Sequence, residues 1–139
     1  MEITLADAGQ LDAVRGYDRH IPPDRLADCI RARRVYVLKD GETVAGVLRY
    51  SLFWQAIPFL DLLFLAEACR GRGFGRRMMD RWETDMAVLG HPYVMLSTQA
   101  DETAKYFYEK LGYRRIGAFL PPEQEAEEIL YGKEIHQKE

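Results

Sequence analysis

No segment limits this chain as strongly as Cys69-Arg70-Gly71-Arg72-Gly73-Phe74-Gly75-Arg76-Arg77, a glycine loop set between an apolar run and an amphipathic stretch. The run before it, Pro58 to Leu65, is interrupted only by Asp61, and its length and flanks predict a buried central strand. After it, Phe74, Met78, Trp82, Met86 and Leu89 recur along one helical face, with Arg76, Asp80, Glu83 and Thr84 opposite. Gly90 is placed to stop that helix. Glycines let the backbone take positive φ and let a ligand approach closely. Successive N–H groups at a helix start form an anion-binding concavity, to which the helix dipole adds about 0.3–2 kcal/mol. Arg70, Arg72, Arg76 and Arg77 supply formal charge, so a diphosphate-bearing cofactor fits. Two better-known phosphate loops do not match. Gly75 is followed by Arg-Arg rather than Lys-Ser/Thr, and the third glycine falls one residue early for G-x-G-x-x-G. The alternative is a tight basic turn that binds nothing.

The rest of the chain supplies a sheet around this unit. Glu2 to Leu5 reads as an edge strand, ended by a polar break at Asp7. Ala8 to Tyr17 is weakly helical through Leu11 and Val14, and Pro22-Pro23 opens a second helix with Leu26, Ala27 and Ile30 on one face. Val35 to Leu38 and Val44 to Trp54 form a hairpin across Asp40-Gly41. Tyr93 to Thr98 is a further strand. Asp101 reads as the N-cap of a helix carrying Ala104, Phe107, Tyr108 and Leu111, which Gly112 ends. Tyr113 to Phe119 and Ala126 to Ile135 can pair across Pro121-Pro122. The fold class is α/β (α+β): a mixed, mostly antiparallel sheet of about seven strands with helices on both faces.

At 139 residues the expectation is one domain, 1–139, able to bury roughly 70% of its unfolded surface. A composition of 47% hydrophobic and 29% charged residues is globular. The formal net charge of −3 argues against general nucleic-acid binding, although the glycine loop is locally basic. Cys29 and Cys69 make neither a disulfide framework nor a metal site, and His20, His91 and His136 lack ligand spacing, so no metal is expected. The N-terminus lacks a secretion signal, and no apolar run approaches the ~20 residues of a membrane span. The expected location is the cytoplasm, with free thiols and no membrane partner.

Arg70-x-x-Gly73-x-Gly75 resembles the Q/R-x-x-G-x-G/A signature of the GNAT superfamily of acyl-CoA N-acyltransferases, with a strand before it and a helix after it. Ala104-Lys105-Tyr106-Phe107-Tyr108-Glu109-Lys110-Leu111-Gly112-Tyr113 is similar to that family's A-x-x-F-Y-x-K-x-G-F. The order of elements resembles the family along essentially the whole chain, and residues 97–117 resemble small stand-alone bacterial members. The resemblance implies acetyl-CoA as co-substrate and an amine as acceptor, either a small molecule or a protein. Pantetheine would bond the backbone of Leu63, Phe64 and Leu65 much as an added strand would. The loop Arg70, Gly71, Arg72, Gly73, Phe74, Gly75 and Arg76 would hold the pyrophosphate. An N–H near Phe64 or Leu65 would stabilise the oxyanion of a tetrahedral intermediate formed by direct attack. Asp101 stands where many members have Asn contacting the cofactor; Asp cannot donate that amide hydrogen bond. Many relatives are dimers, so a homodimer is a further expectation.

Two protons must then move. An alkylamine with a pKa of roughly 10.4 must lose one before attack, and the thiolate must gain one. Asp61, breaking an apolar strand, is the leading base, with Glu67 or water as alternatives; a desolvated carboxylate has a raised pKa. Tyr108, through its match to the Phe-Tyr motif, is the proton donor; as a bare pattern it would be a core aromatic. Tyr50, Phe53 and Trp54 read as hairpin packing, Asp18 and His20 as a surface loop pair, and Glu123, Glu125, Glu127 and Glu128 as a solvated run. Cys69 reads as a loop cysteine beside basic residues. An acyl-CoA sensor without turnover is the alternative function, though it would have no need of a proton donor at Tyr108.

Overall fold

The computed structural model describes residues 1–136. Its elements run β1 (Glu2–Leu5), α1 (Leu11–Arg15), α2 (Pro23–Arg31), β2 (Val35–Asp40), β3 (Thr43–Phe53), β4 (Ile57–Leu65), α3 (Phe74–Val88), β5 (Tyr93–Gln99), α4 (Ala104–Lys110), β6 (Arg114–Phe119) and β7 (Glu128–Glu134). The strands form a sheet in the order β1-β2-β3-β4-β5-β7-β6. β1–β2, β2–β3, β5–β7 and β6–β7 pair antiparallel, whereas β4–β5 is parallel. The sheet is therefore mixed and mostly antiparallel, as the sequence predicts. Contacts divide the chain into two compact units, Met1–Ser51 with Asp61–Trp82, and Leu52–Leu60 with the chain from Glu83 on.

In the first unit, Val14 of α1 and Leu26 and Ile30 of α2 are buried in one cluster with Ala6, Val35, Val37, Val44 and Val47. Tyr36 and Tyr50 point the other way. The Arg81 guanidinium lies 5.7 Å from the centre of the Tyr36 ring, and Tyr50 packs on Trp82 at 5.8 Å. Side chains alternate along a strand, so α1–α2 and the start of α3 cover opposite faces. A bulge keeps the first face apolar. Val37 pairs with Val47 but Lys39 pairs with Val44, so β3 carries one extra residue there. That residue restores Val44 to the face of Val47. Pro22 at the cap position and Pro23 within the first turn open α2, as proline's fixed φ favours.

β4 corrects one expectation. It is central in the sheet order, but it is not buried along its length. Its ladder with β5 consists of Phe59↔Met95 and Leu60↔Leu96, and from Asp61 to Leu65 every residue is half-buried or exposed. An apolar run reports what the side chains tolerate; it does not report how far each of them is covered.

In the second unit, β5 pairs with β7 from Tyr93↔Glu134 to Gln99↔Glu128, and β6 forms the sheet edge. Two details of α3 differ from the sequence reading. Leu89 lies beyond the helix and is exposed, while Met79 joins Met78, Trp82 and Met86 in the buried stripe. Glu83, expected on the solvent side, accepts hydrogen bonds from the Tyr113 hydroxyl at 2.9 Å and Lys133 Nζ at 2.7 Å. These partners come from residues far along the chain, which a helical wheel cannot register. Asp101 does not cap α4 either. The helix begins at Ala104 with Thr103 at the cap position and no side-chain cap bond. A turn closed by the Glu102 N–H to the Gln99 carbonyl, 3.1 Å, holds Asp101 upstream.

Candidate active site

The glycine loop lies in the first unit. β4 ends at Leu65, a short 3-10 helix spans Glu67–Cys69, and α3 starts at Phe74. Gly71 and Gly73 have φ of +71° and +85°, and a Cβ on either would point into open space. Glycine is needed there for the backbone conformation rather than to relieve crowding. Arg70, Arg72, Arg76 and Arg77 are all exposed. Two are already oriented: Arg70 Nε donates to the Leu65 carbonyl at 3.1 Å, and Arg72 Nη1 to the Ala68 carbonyl at 3.3 Å. Arg70 also lies over the Phe64 ring, and Arg72 and Arg77 over the Phe74 ring. Open N–H groups at the start of a 15-residue helix, ringed by four guanidinium groups, suit a diphosphate. Gly75, by contrast, is buried within the helix.

Leu63, Phe64 and Leu65 form the end of β4, and Gly46 of β3 lies against them. A Cβ at Gly46 would come within 2.8 Å of Leu65 Cδ2 and 3.2 Å of the Phe64 carbonyl oxygen. On that side β4 is held close.

Asp61 sits in a charge cluster that the sequence did not reveal. Arg49 of β3 is 9% exposed and reaches two carboxylates. Its Nε donates to Asp18 Oδ2 at 2.6 Å and its Nη1 to Asp61 Oδ2 at 3.3 Å. Asp18, expected on the surface, is 1% exposed, and its contact with His20 runs through the His20 backbone N–H. Burial raises the pKa of Asp61, against the pull of a Ser51 hydrogen bond and the charges of Arg49 and Arg34. The raised carboxyl is what a general base requires. One signal was legible in retrospect: adjacent predicted strands each carry a lone opposite charge, Arg49 and Asp61, within apolar runs. An open cleft of about 710 Å³ adjoins this cluster, lined by Asp12, Arg15, Gly16, Asp18, Arg19, His20, Ile21, Pro22 and Pro23.

Tyr108 belongs to the second unit. It is buried on α4, edge-on to Phe107 at 5.0 Å and to Tyr113 at 6.0 Å. Burial pushes its phenol up to about 12. Asp101 is exposed in the turn before α4. Glu67 is exposed in the 3-10 helix after β4. Among the remaining sequence candidates, Tyr50 is core, Phe53 and Trp54 are exposed, and Glu123, Glu125 and Glu127 face solvent. Cys69 is buried and Cys29 partly so, both as free thiols. Among the described residues no His, Cys, Asp and Glu group is arranged to hold a metal, and no helix is long and apolar enough to cross a membrane.

Residues 31–115 match the family model described as an acetyltransferase (GNAT) domain. Solved structures share the fold. Ard1 from Thermoplasma volcanium superposes with a TM-score of 0.85 at 17% identity, over 98% of each chain. An aminoglycoside 6'-N-acetyltransferase complexed with coenzyme A gives 0.80 at 18% identity, covering 100% of this chain and 99% of its own. YncA from Salmonella typhimurium, solved with its cofactor acetyl-CoA, gives 0.80 at 15% identity, covering 100% of this chain and 96% of its own. No curated protein is significantly similar to the chain in sequence.

Proposed function

Because the chain belongs to the GNAT acetyltransferase family, we propose that it is an N-acyltransferase that moves the acetyl group of acetyl-CoA to an amine. The observation that carries this reading is the loop at residues 70–76: positive-φ glycines and exposed arginines open a helix shortly after the end of β4. Acetyl-CoA supplies an acyl group already activated as a thioester. The arginines and N–H groups of the loop bind its pyrophosphate, and the backbone of Leu63, Phe64 and Leu65 aligns its pantetheine. Fixed backbone dipoles there stabilise the oxyanion without reorganising. Asp101 is assigned at most an ancillary cofactor contact.

Asp61 takes the proton of the attacking amine, directly or through water. A new C–N bond forms as the C–S bond breaks, and Tyr108 gives its phenolic proton to the departing sulfur. With its pKa near 12, Tyr108 stays protonated throughout the working range, as a donor must. Transfer to a free thiolate of pKa 8.5 spans about 3.5 pH units, or roughly 5 kcal/mol uphill. A thiolate leaving beside the ring shares its desolvation, which raises the thiol's own pKa and narrows that gap.

Release of free CoA from acetyl-CoA, followed over a panel of polyamines, aminoglycosides, amino acids and peptide N-termini, tests the reading. Amine-dependent release that drops in Tyr108→Phe is the expected result. Acetyl-CoA binding by calorimetry with no release over the panel would favour the sensor reading, and absence of binding would reject both.

A further inference from the structure

We propose that Arg49, anchored by Asp18, is a positioning residue that aims the Asp61 carboxylate and sets its proton affinity. This rests on Asp61 being the base. The geometry is a carboxylate–guanidinium–carboxylate chain. Asp18 holds two edges of the guanidinium, with Oδ2 at 2.6 Å from Nε and Oδ1 at 3.5 Å from Nη2. Nη1 is left for Asp61 at 3.3 Å. The side chains are 0%, 11% and 23% exposed at Asp18, Arg49 and Asp61. The ion pair is therefore anchored at its buried end and meets solvent mainly at the carboxylate assigned to catalysis. A bidentate pair of this kind holds its orientation, which a solvated pair does not.

The groups that face Asp61 come from three segments. β3 presents Arg49 and the Ser51 hydroxyl, the segment before β2 presents the charge of Arg34, and the chain after α1 presents Asp18. Desolvation favours a neutral Asp61; the guanidinium opposes it; Asp18 competes for that same guanidinium. Removing the Arg49 charge and removing the Asp18 charge must therefore move the proton affinity of Asp61 in opposite directions. Without Arg49 the carboxyl holds its proton to higher pH. Without the Asp18 charge, Arg49 is freed for Asp61, which then loses its proton at lower pH.

Side-chain ¹³C NMR of aspartate carboxyls follows this without any acceptor, with the Asp61 signal identified by its loss in Asp61→Asn. Relative to wild type, Arg49→Gln should raise the Asp61 midpoint by about 1 pH unit and Asp18→Asn should lower it. Arg49→Lys, which keeps the charge but loses the two-edged hold on Asp18, should raise the midpoint by less, and it carries the test with Asp18→Asn if Arg49→Gln does not fold. Unchanged midpoints, or shifts of one sign in both variants, would overturn the proposal. The base reading is tested apart from it, by the acid limb of CoA release. If that limb survives in Asp61→Asn, Asp61 is not the base, and Arg49's positioning role in catalysis falls with it whatever the midpoints do.

Discussion

Single side chains carry the proton chemistry, and burial sets their pH ranges. Asp61 is raised by desolvation above the ordinary carboxylate range near 3.9, so it is protonated, and lost as a base, at higher pH than an exposed aspartate. Activity should therefore fall as pH drops through that raised value, read as an acid limb in kcat/KM. Tyr108 behaves oppositely in use: its neutral form is the active one and persists until pH nears 12. A kcat profile should consequently lack an alkaline limb from Tyr108 below about pH 10. Tyr108→Phe should reduce kcat by about 10²–10⁴-fold, the usual worth of a general acid, with acetyl-CoA affinity little changed. Asp18 matters for stability as well. Asp18→Ala leaves the buried Arg49 with part of its compensation gone, and should cost about 3–5 kcal/mol in urea unfolding.

Elements place these side chains, and their tight points are few. Gly46 allows β3 to lie against Phe64 and Leu65, because a Cβ there meets Leu65 Cδ2 at 2.8 Å and both Leu38 Cβ and the Phe64 oxygen at 3.2 Å. Gly46→Ala should cost about 1–3 kcal/mol as an overpacked substitution and displace the end of β4. Weaker acetyl-CoA binding by calorimetry, beyond what the lost stability explains, is the expected signature. α3 ties the glycine loop to the core through Trp82, which is fully buried against Tyr50. Trp82→Ala should destabilise by about 3–5 kcal/mol, measured by thermal or urea unfolding.

At the scale of the whole molecule, charge is distributed against its sum. The chain is acidic by three charges, yet four exposed arginines lie on one loop and the helical turn after it. A local field of this kind attracts a polyphosphate even when the molecule's net charge would repel it. Exposed charges are screened, with a Debye length falling from ~10 Å at 0.1 M to ~3 Å at 1 M salt. Acetyl-CoA affinity should thus decline with ionic strength, and Arg72→Ala with Arg76→Ala should flatten that dependence. Fluorescence or calorimetric titration across a salt series reads both effects.

The sequence by itself determined what is written in local order: the strand–loop–helix around Gly71 and Gly73, the hairpin of β2 and β3 across Asp40-Gly41, the proline entry to α2 and the succession of elements. Each depends on neighbours a few residues apart, whose steric and hydrophobic periods show in the chain. Tertiary structure alone decided that the end of β4 is partly exposed, because side-chain hydrophobicity is silent about how far each residue is covered. It also decided that Asp18, 31 positions from Arg49, is a buried counter-charge rather than a loop residue. Likewise it turned Glu83 from a solvent-facing position into the acceptor for Tyr113 and Lys133. A charge becomes buried only when its partner arrives, and here the partners arrive from distant parts of the chain.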